Sequence, residues 1–107
     1  MRTISATLKL LILLAITTTA VAEDKKIVFI AGPRSHGFGS HEHKAGCMLL
    51  EKSLKESGLK GFTTEVVTNG WPKDESVLEG ADCIVMYTDG GGRHFANPNL
   101  PKIDKLA

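Results

Sequence analysis

Two short runs of apolar residues, each delivering the chain into a glycine-bearing loop, restrict this sequence more than any other feature. Ile27-Val28-Phe29-Ile30-Ala31 leads into Gly32, and Cys83-Ile84-Val85-Met86-Tyr87 leads into Asp89-Gly90-Gly91-Gly92. Neither run alternates polar with apolar residues, so neither suits a strand with one wet face. Runs of this kind are buried on both faces, as in a parallel sheet covered by helices.

The residues between them supply the crossovers such a sheet needs. A helix is predicted from near Ser40 or His41 to about Ser57, with Ser40 as N-cap, Glu42 favourable in the first turn and Gly58 as the C′ residue. Within it Cys47, Leu50 and Leu54 share one stripe and are expected to face a core. Phe62 to Thr68 reads as a second strand, and its mixed polarity suits a sheet edge. Asn69-Gly70-Trp71-Pro72 is a turn, Asp74 caps a brief helical turn through Leu78, and residues 82–88 form a third, more apolar and therefore more central strand. Pro98 and Pro101 introduce a last helix over Lys102 to Ala107.

Strand, helix, strand, short helix, strand is the βαβαβ half of a doubly wound α/β fold. A flavodoxin-like order places the first strand between the second and third. The loops after the first and third strands then meet at the switch point, where open parallel sheets bind their ligands. All four histidines lie on those two loops: His36, His41 and His43 on the first, His94 on the second.

The first residues read differently. Arg2 and Lys9 precede the apolar stretch Leu10 to Ile16, and Ala20-Val21-Ala22 has the small-x-small pattern of a signal-peptidase site. The stretch is shorter than the ~20 residues of a membrane span. Residues 1–22 are read as a cleaved secretory signal, which makes the mature protein secreted or periplasmic, with no membrane association after cleavage. What remains, residues 23–107, is about 85 residues, small for an independent doubly wound domain, and is expected to be the N-terminal part of a larger one, cut to about three strands. Removal of Arg2 and Lys9 takes the formal charge from +1 to −1. That balance offers no electrostatic case for nucleic acid as a partner. Cys47 and Cys83 are expected to be buried, inert thiols rather than a bridge.

Nucleotide sites are excluded by pattern. Nothing after Gly32 supplies a phosphate loop's lysine and hydroxyl, and Gly37-Phe38-Gly39 has Glu42 where the dinucleotide fingerprint has its third glycine. Histidine chemistry remains. His41 and His43, two apart at a loop-to-helix junction, are able to converge with His36 or His94 on zinc or another divalent ion, with Glu42 or Asp89 adding oxygen; the alternative is a His-Glu-His that simply begins a helix. His43 and His94, with Asp89, are the expected acid–base groups. Gly90, Gly91 and Gly92 bring bare backbone N–H groups to the end of a buried strand, where a flexible turn is the plain alternative. Arg34 and Arg93 are candidate donors to an anion or a sugar hydroxyl. Trp71 either stacks on a sugar or plugs a core edge.

Lys26 to Gly32, Ser35-His36-Gly37 and His41-Glu42-His43-Lys44-Ala45-Gly46-Cys47 together resemble the opening of the ThuA-like (trehalose-utilisation) family. Asn69-Gly70-Trp71-Pro72 and Asp89-Gly90-Gly91-Gly92 extend the resemblance over nearly all of residues 23–107. It implies a fold like that of class I glutamine amidotransferases, without that activity, since Cys47 and Cys83 are misplaced for its nucleophile. It also implies a small-molecule carbohydrate as partner. The expected assignment is therefore a sugar or keto-sugar site. Its catalytic residues are His43, His94 and Asp89. Ser35, His36, Gly90, Gly91, Gly92 and Arg93 are the substrate contacts, and His41 and His43 the metal ligands if one binds. The alternatives are a non-catalytic carbohydrate-binding module and a fragment without activity of its own.

Overall fold

The computed structural model describes residues 22–107; the expected leader, apart from Ala22, lies outside the described residues. Strand β1 (Lys25–Ala31) is followed by helix α1 (His43–Glu56), β2 (Phe62–Val67), a 3₁₀ turn (Glu75–Leu78), β3 (Cys83–Tyr87), two further 3₁₀ turns and helix α2 (Leu100–Leu106). The sheet is parallel, in the order β2-β1-β3. This is the α/β, flavodoxin-like arrangement the apolar runs predict, with β1 in the middle. Val28 stands between Glu65 of β2 and Ile84 of β3, and Ala31 lies opposite Tyr87. No helix among the described residues is long and apolar enough to cross a membrane.

Alternation along β1 divides the core into two layers, because successive side chains leave a strand on opposite faces. Val28 and Ile30 pack with Leu78, and Val67, Trp71, Ile84, Met86 and Phe95 close around them. Phe29 and Ala31 pack on the other face with Cys47 of α1, joined by Ile27, Leu54, Val66 and Val85. Trp71 thus plugs a core edge, its indole Nε1 donating to Glu75 Oε1 at 2.9 Å. Burial pushes the Cys47 thiol up, which keeps it unreactive.

Five local expectations are corrected. The first helix starts at His43, not Ser40, because His41 has φ +49° and a left-handed residue interrupts the helical path. Ser40 is not the cap; Glu42 stands there and uses its carboxylate to accept from Gly39 N at 2.9 Å instead. Leu50 is half-exposed, since the buried stripe of α1 is narrower than its sequence pattern. Cys83 is exposed, because it opens a strand that pairs on one side only. For the same reason β3 is an edge of the three described strands and not more central than β2. Asp74 does cap its short turn, accepting from Ser76 N at 3.0 Å.

Two glycines set how closely the layers approach. A Cβ on Gly32 would overlap the side chain of Thr88, and one on Gly46, inside α1, would overlap the ring of Tyr87. Gly32→Ala and Gly46→Ala are each expected to destabilise the fold by about 1–3 kcal/mol in chemical denaturation. For Gly46 this outweighs the gain of about 1 kcal/mol that alanine brings to a helix interior. Gly37→Ala, where a Cβ meets nothing within 4 Å, should stay within about 0.5 kcal/mol of the parent. Equal effects at all three positions would contradict this packing.

The opposite end of the sheet is tied by charge. Asp82 accepts from Lys25 Nζ and from Lys26 N, both at 2.8 Å, which clips the start of β1 to the start of β3. The Lys25 hydrogen bond, with that from the Lys26 backbone, holds the Asp82 carboxyl below its ordinary range, and Asp82 in turn raises Lys25. A depressed carboxylate stabilises the fold above its unfolded value of about 3.9, and that contribution disappears as pH falls through the folded value. The raised lysine contributes below about 10.4 and loses its share above it. Asp82→Asn should therefore melt earlier than the parent at neutral pH, and the gap should close below about pH 4. A gap independent of pH would exclude the ionised pair as its cause.

Candidate functional site

The carboxyl ends of β1 and β3 carry the site. Gly32 N donates to Tyr87 O at 2.9 Å, so the two strands release their loops side by side. Asp89, two residues beyond β3, then reaches back to the loop after β1. Its Oδ2 accepts from Ser35 Oγ at 2.8 Å and lies 2.6 Å from His41 Nδ1 and 3.3 Å from His36 Nδ1. Its Oδ1 faces His43 Nε2 at 3.7 Å. Ser35 Oγ is also 2.9 Å from His36 Nδ1. One carboxylate thus gathers a serine and three histidines. The Ser35 hydrogen bond holds the Asp89 carboxyl below the usual carboxylate range; partial burial opposes the shift, and His41 and His43 add to it.

Local sequence explains how the loop reaches this shape. Gly39 has φ +81° and His41 φ +49°, two reversals of backbone hand within three residues. Between them the chain is closed by Ser40 N donating to Gly37 O at 3.1 Å and by the Gly39–Glu42 contact. His41 is thereby turned toward Asp89 before α1 begins. The two exposed rings of His36 and His41 meet edge to face, with centroids 4.1 Å apart.

His43 is a different kind of residue. It is only 3% exposed, its Nδ1–H donates to Pro33 O at 3.1 Å, and Tyr87 packs edge-on against it at 5.2 Å. The absence of a side chain at Gly46 makes room for that tyrosine. With Nδ1 as donor, Nε2 is the nitrogen turned to Asp89. His41 and His43, the pair anticipated as metal ligands, have ring centroids 6.1 Å apart. The donor atoms that do converge, within 4.8 Å of one another, belong to His36, His41 and Asp89.

The other loop is arranged away from the cluster. His94 Nδ1 accepts from Ala96 N at 3.0 Å and its ring lies against Phe95, which is anchored in the core. Among the described residues no hydrogen bond or ion pair joins His94 to Asp89 or to the other histidines. Gly90 and Gly91 have φ +126° and +46°, and Asn97 Nδ2 donates to the carbonyls of Gly91 and Gly92 at 3.2 and 3.1 Å. The N–H groups of Gly90, Gly91 and Gly92 donate to no protein acceptor among the described residues. Arg93 is exposed at the end of this turn.

Beside the cluster lies a cleft of about 440 Å³, lined by Gly32, Arg34, Phe38, His41, Glu42, His43, Lys44, Thr68 and Asn69. It opens over the ends of β1 and β2, with the Asp89 cluster at its β3 side. Asn69 and Gly70, at φ +69° and +92°, turn the chain back so that Gly70 N donates to Ala31 O at 2.8 Å. That turn forms the far wall. Sequence reading did not include Phe38, Lys44, Thr68, Asn69 or Tyr87 in the site. The one available signal was the Asn-Gly pair, which marks a left-handed turn directly after a strand.

No family model matches the chain, and neither a curated protein nor a solved structure matches it.

The backbone of His41 offers a direct check. Left-handed geometry costs a residue with a Cβ roughly 1–2 kcal/mol, a penalty glycine does not carry. Both His41→Gly and His41→Ala lose the contact with Asp89, so His41→Gly should be the more stable of the two by about 1 kcal/mol in urea unfolding. Equal stability, or a more stable alanine variant, would rule out a left-handed residue at this position.

Proposed function

We propose that this chain is a secreted ThuA-like domain whose cleft receives a small carbohydrate, a sugar or keto-sugar derivative, and that the histidines around Asp89 carry chemistry on it. The observation behind this reading is the convergence on Asp89 of Ser35, His36, His41 and His43 at the ligand-binding end of a parallel sheet. The motifs that resemble the family are those that meet there. Ser35-His36 and His41-Glu42-His43 contact Asp89 of the Asp-Gly-Gly-Gly turn, and Asn69 of Asn-Gly-Trp-Pro lines the same cleft.

The cleft also has suitable size and chemistry. Small-molecule sites occupy ~300–1,000 Å³ and combine apolar surface with a few placed polar groups. Here the ring of Phe38, 94% exposed, offers an apolar face, while Arg34, Glu42, Lys44, Thr68 and Asn69 offer donors and acceptors for hydroxyls. His41 is half-exposed and held through Nδ1, whereas His43 is buried and fixed from behind by Pro33. Of the two, His41 is the better placed to meet a substrate. The bare N–H groups of Gly90, Gly91 and Gly92 are suited to an oxyanion.

Turnover of keto-glycosides by the full chain is the test. His41→Ala is expected to reduce it by about 100-fold or more while leaving sugar binding measurable by calorimetry. Binding without turnover would identify a non-catalytic carbohydrate-binding module instead. Neither binding nor turnover across a panel of sugars and keto-glycosides would refute the assignment.

A further inference from the structure

The rings of His36 and His41 are half-exposed, and water is available to both. Yet each turns Nδ1 inward to the Ser35–Asp89 pair: His41 Nδ1 lies 2.6 Å from Asp89 Oδ2, and His36 Nδ1 is 2.9 Å from Ser35 Oγ and 3.3 Å from that same carboxylate oxygen. Ser35 Oγ adds a third contact to that oxygen at 2.8 Å. A carboxylate oxygen has two lone pairs; Ser35 and His41 meet those of Oδ2, His36 stands beside them, and Oδ1 has no partner within hydrogen-bonding distance. Holding His41 there also requires its left-handed backbone. Such convergence, at a cost in strain and side-chain freedom, is the arrangement of a site that accepts a cation.

We infer that His36 Nδ1, His41 Nδ1 and the Asp89 carboxylate form a site for a divalent cation of the zinc type. Two imidazoles and one carboxylate, with remaining positions open, is a ligand set used by catalytic zinc sites. Ligand atoms about 2.0–2.2 Å from zinc stand roughly 3–3.5 Å apart in a tetrahedral arrangement. Of the present contacts within the 4.8 Å cluster, the one at 3.3 Å already has that spacing and the one at 2.6 Å would lengthen. Entry of the ion needs no net loss of a proton from a neutral imidazole. On each ring the proton leaves Nδ1 and resides on Nε2, while the Nδ1 lone pair turns to the metal. Ser35 keeps its hydrogen bond to Asp89 and fixes the carboxylate from the side. His43 stays outside the set because the donor atoms that converge within 4.8 Å are those of His36, His41 and Asp89. The site stands independently of the sugar reading, since it is argued from donor geometry alone.

Equilibrium dialysis of the full chain against Zn²⁺, with Co²⁺ as a visible-absorption probe, tests it. One ion per chain is expected, with Co²⁺ bands that Zn²⁺ abolishes. His36→Gln and His41→Gly, both at exposed positions, should each weaken binding at least about tenfold. His94→Ala, outside the cluster, should bind as the parent does, and thermal melts of the metal-free variants will show that all remain folded. Failure to bind Zn²⁺, or binding that His36→Gln and His41→Gly leave intact, would overturn the assignment.

Discussion

The pairing of β1 on both of its edges is the constraint from which the rest follows. A strand hydrogen-bonded on either side, with a helix on one face and the 3₁₀ turn after β2 on the other, leaves no side of its backbone to water. Val28, Ile30 and Ala31 are accordingly fully buried. Only a continuous apolar run tolerates that position, and Ile27 to Ala31 is the one run here flanked by two strand partners. Its central place also decides where the chain leaves the sheet. Gly32 emerges against Tyr87, and the loops after β1 and β3 are forced into contact.

That contact is made through Asp89. A single carboxylate at the end of β3 is met by Ser35, His36, His41 and His43 from the other loop, and so joins segments about fifty positions apart in sequence. The arrangement has supports at several ranges. Glu42 closes its own loop on Gly39, Pro33 fixes the ring of His43, and Gly46 yields space to Tyr87. The cleft beside it inherits this order, and its far wall is held by the Asn69–Gly70 reversal bonded to Ala31.

How much of this was legible varies with the range of the interaction responsible. The strands, the Asp74 cap and the extent of α1 to within a few residues follow from local pattern, since periodicity and capping act over a turn or two. The start of α1 was misread because Ser40 is a good cap in isolation, whereas His41 is held left-handed by a contact with Asp89 far along the chain. Cys83 reads as interior from its apolar neighbours, yet it opens an edge strand. Within the site, the meeting of the two loops was expected, with Asp89 grouped with His43 and His94. His94, on the adjoining loop, instead points its Nδ1 at Ala96 because Phe95 next to it is drawn into the core.

The sequence by itself determined the class of fold and the end of the sheet at which chemistry gathers. Apolar runs that cannot face water must be covered on both sides, and glycines directly after them must form the exposed loops. Tertiary structure alone decided which residues meet there. It turned His41 toward Asp89 and buried His43 beneath Pro33. It also brought His36, rather than His43, into the donor cluster with His41 and Asp89, and opened the cleft toward β2. Those outcomes depend on the hand of individual backbone turns and on contacts between distant loops, and neither is encoded in the pattern of any one segment.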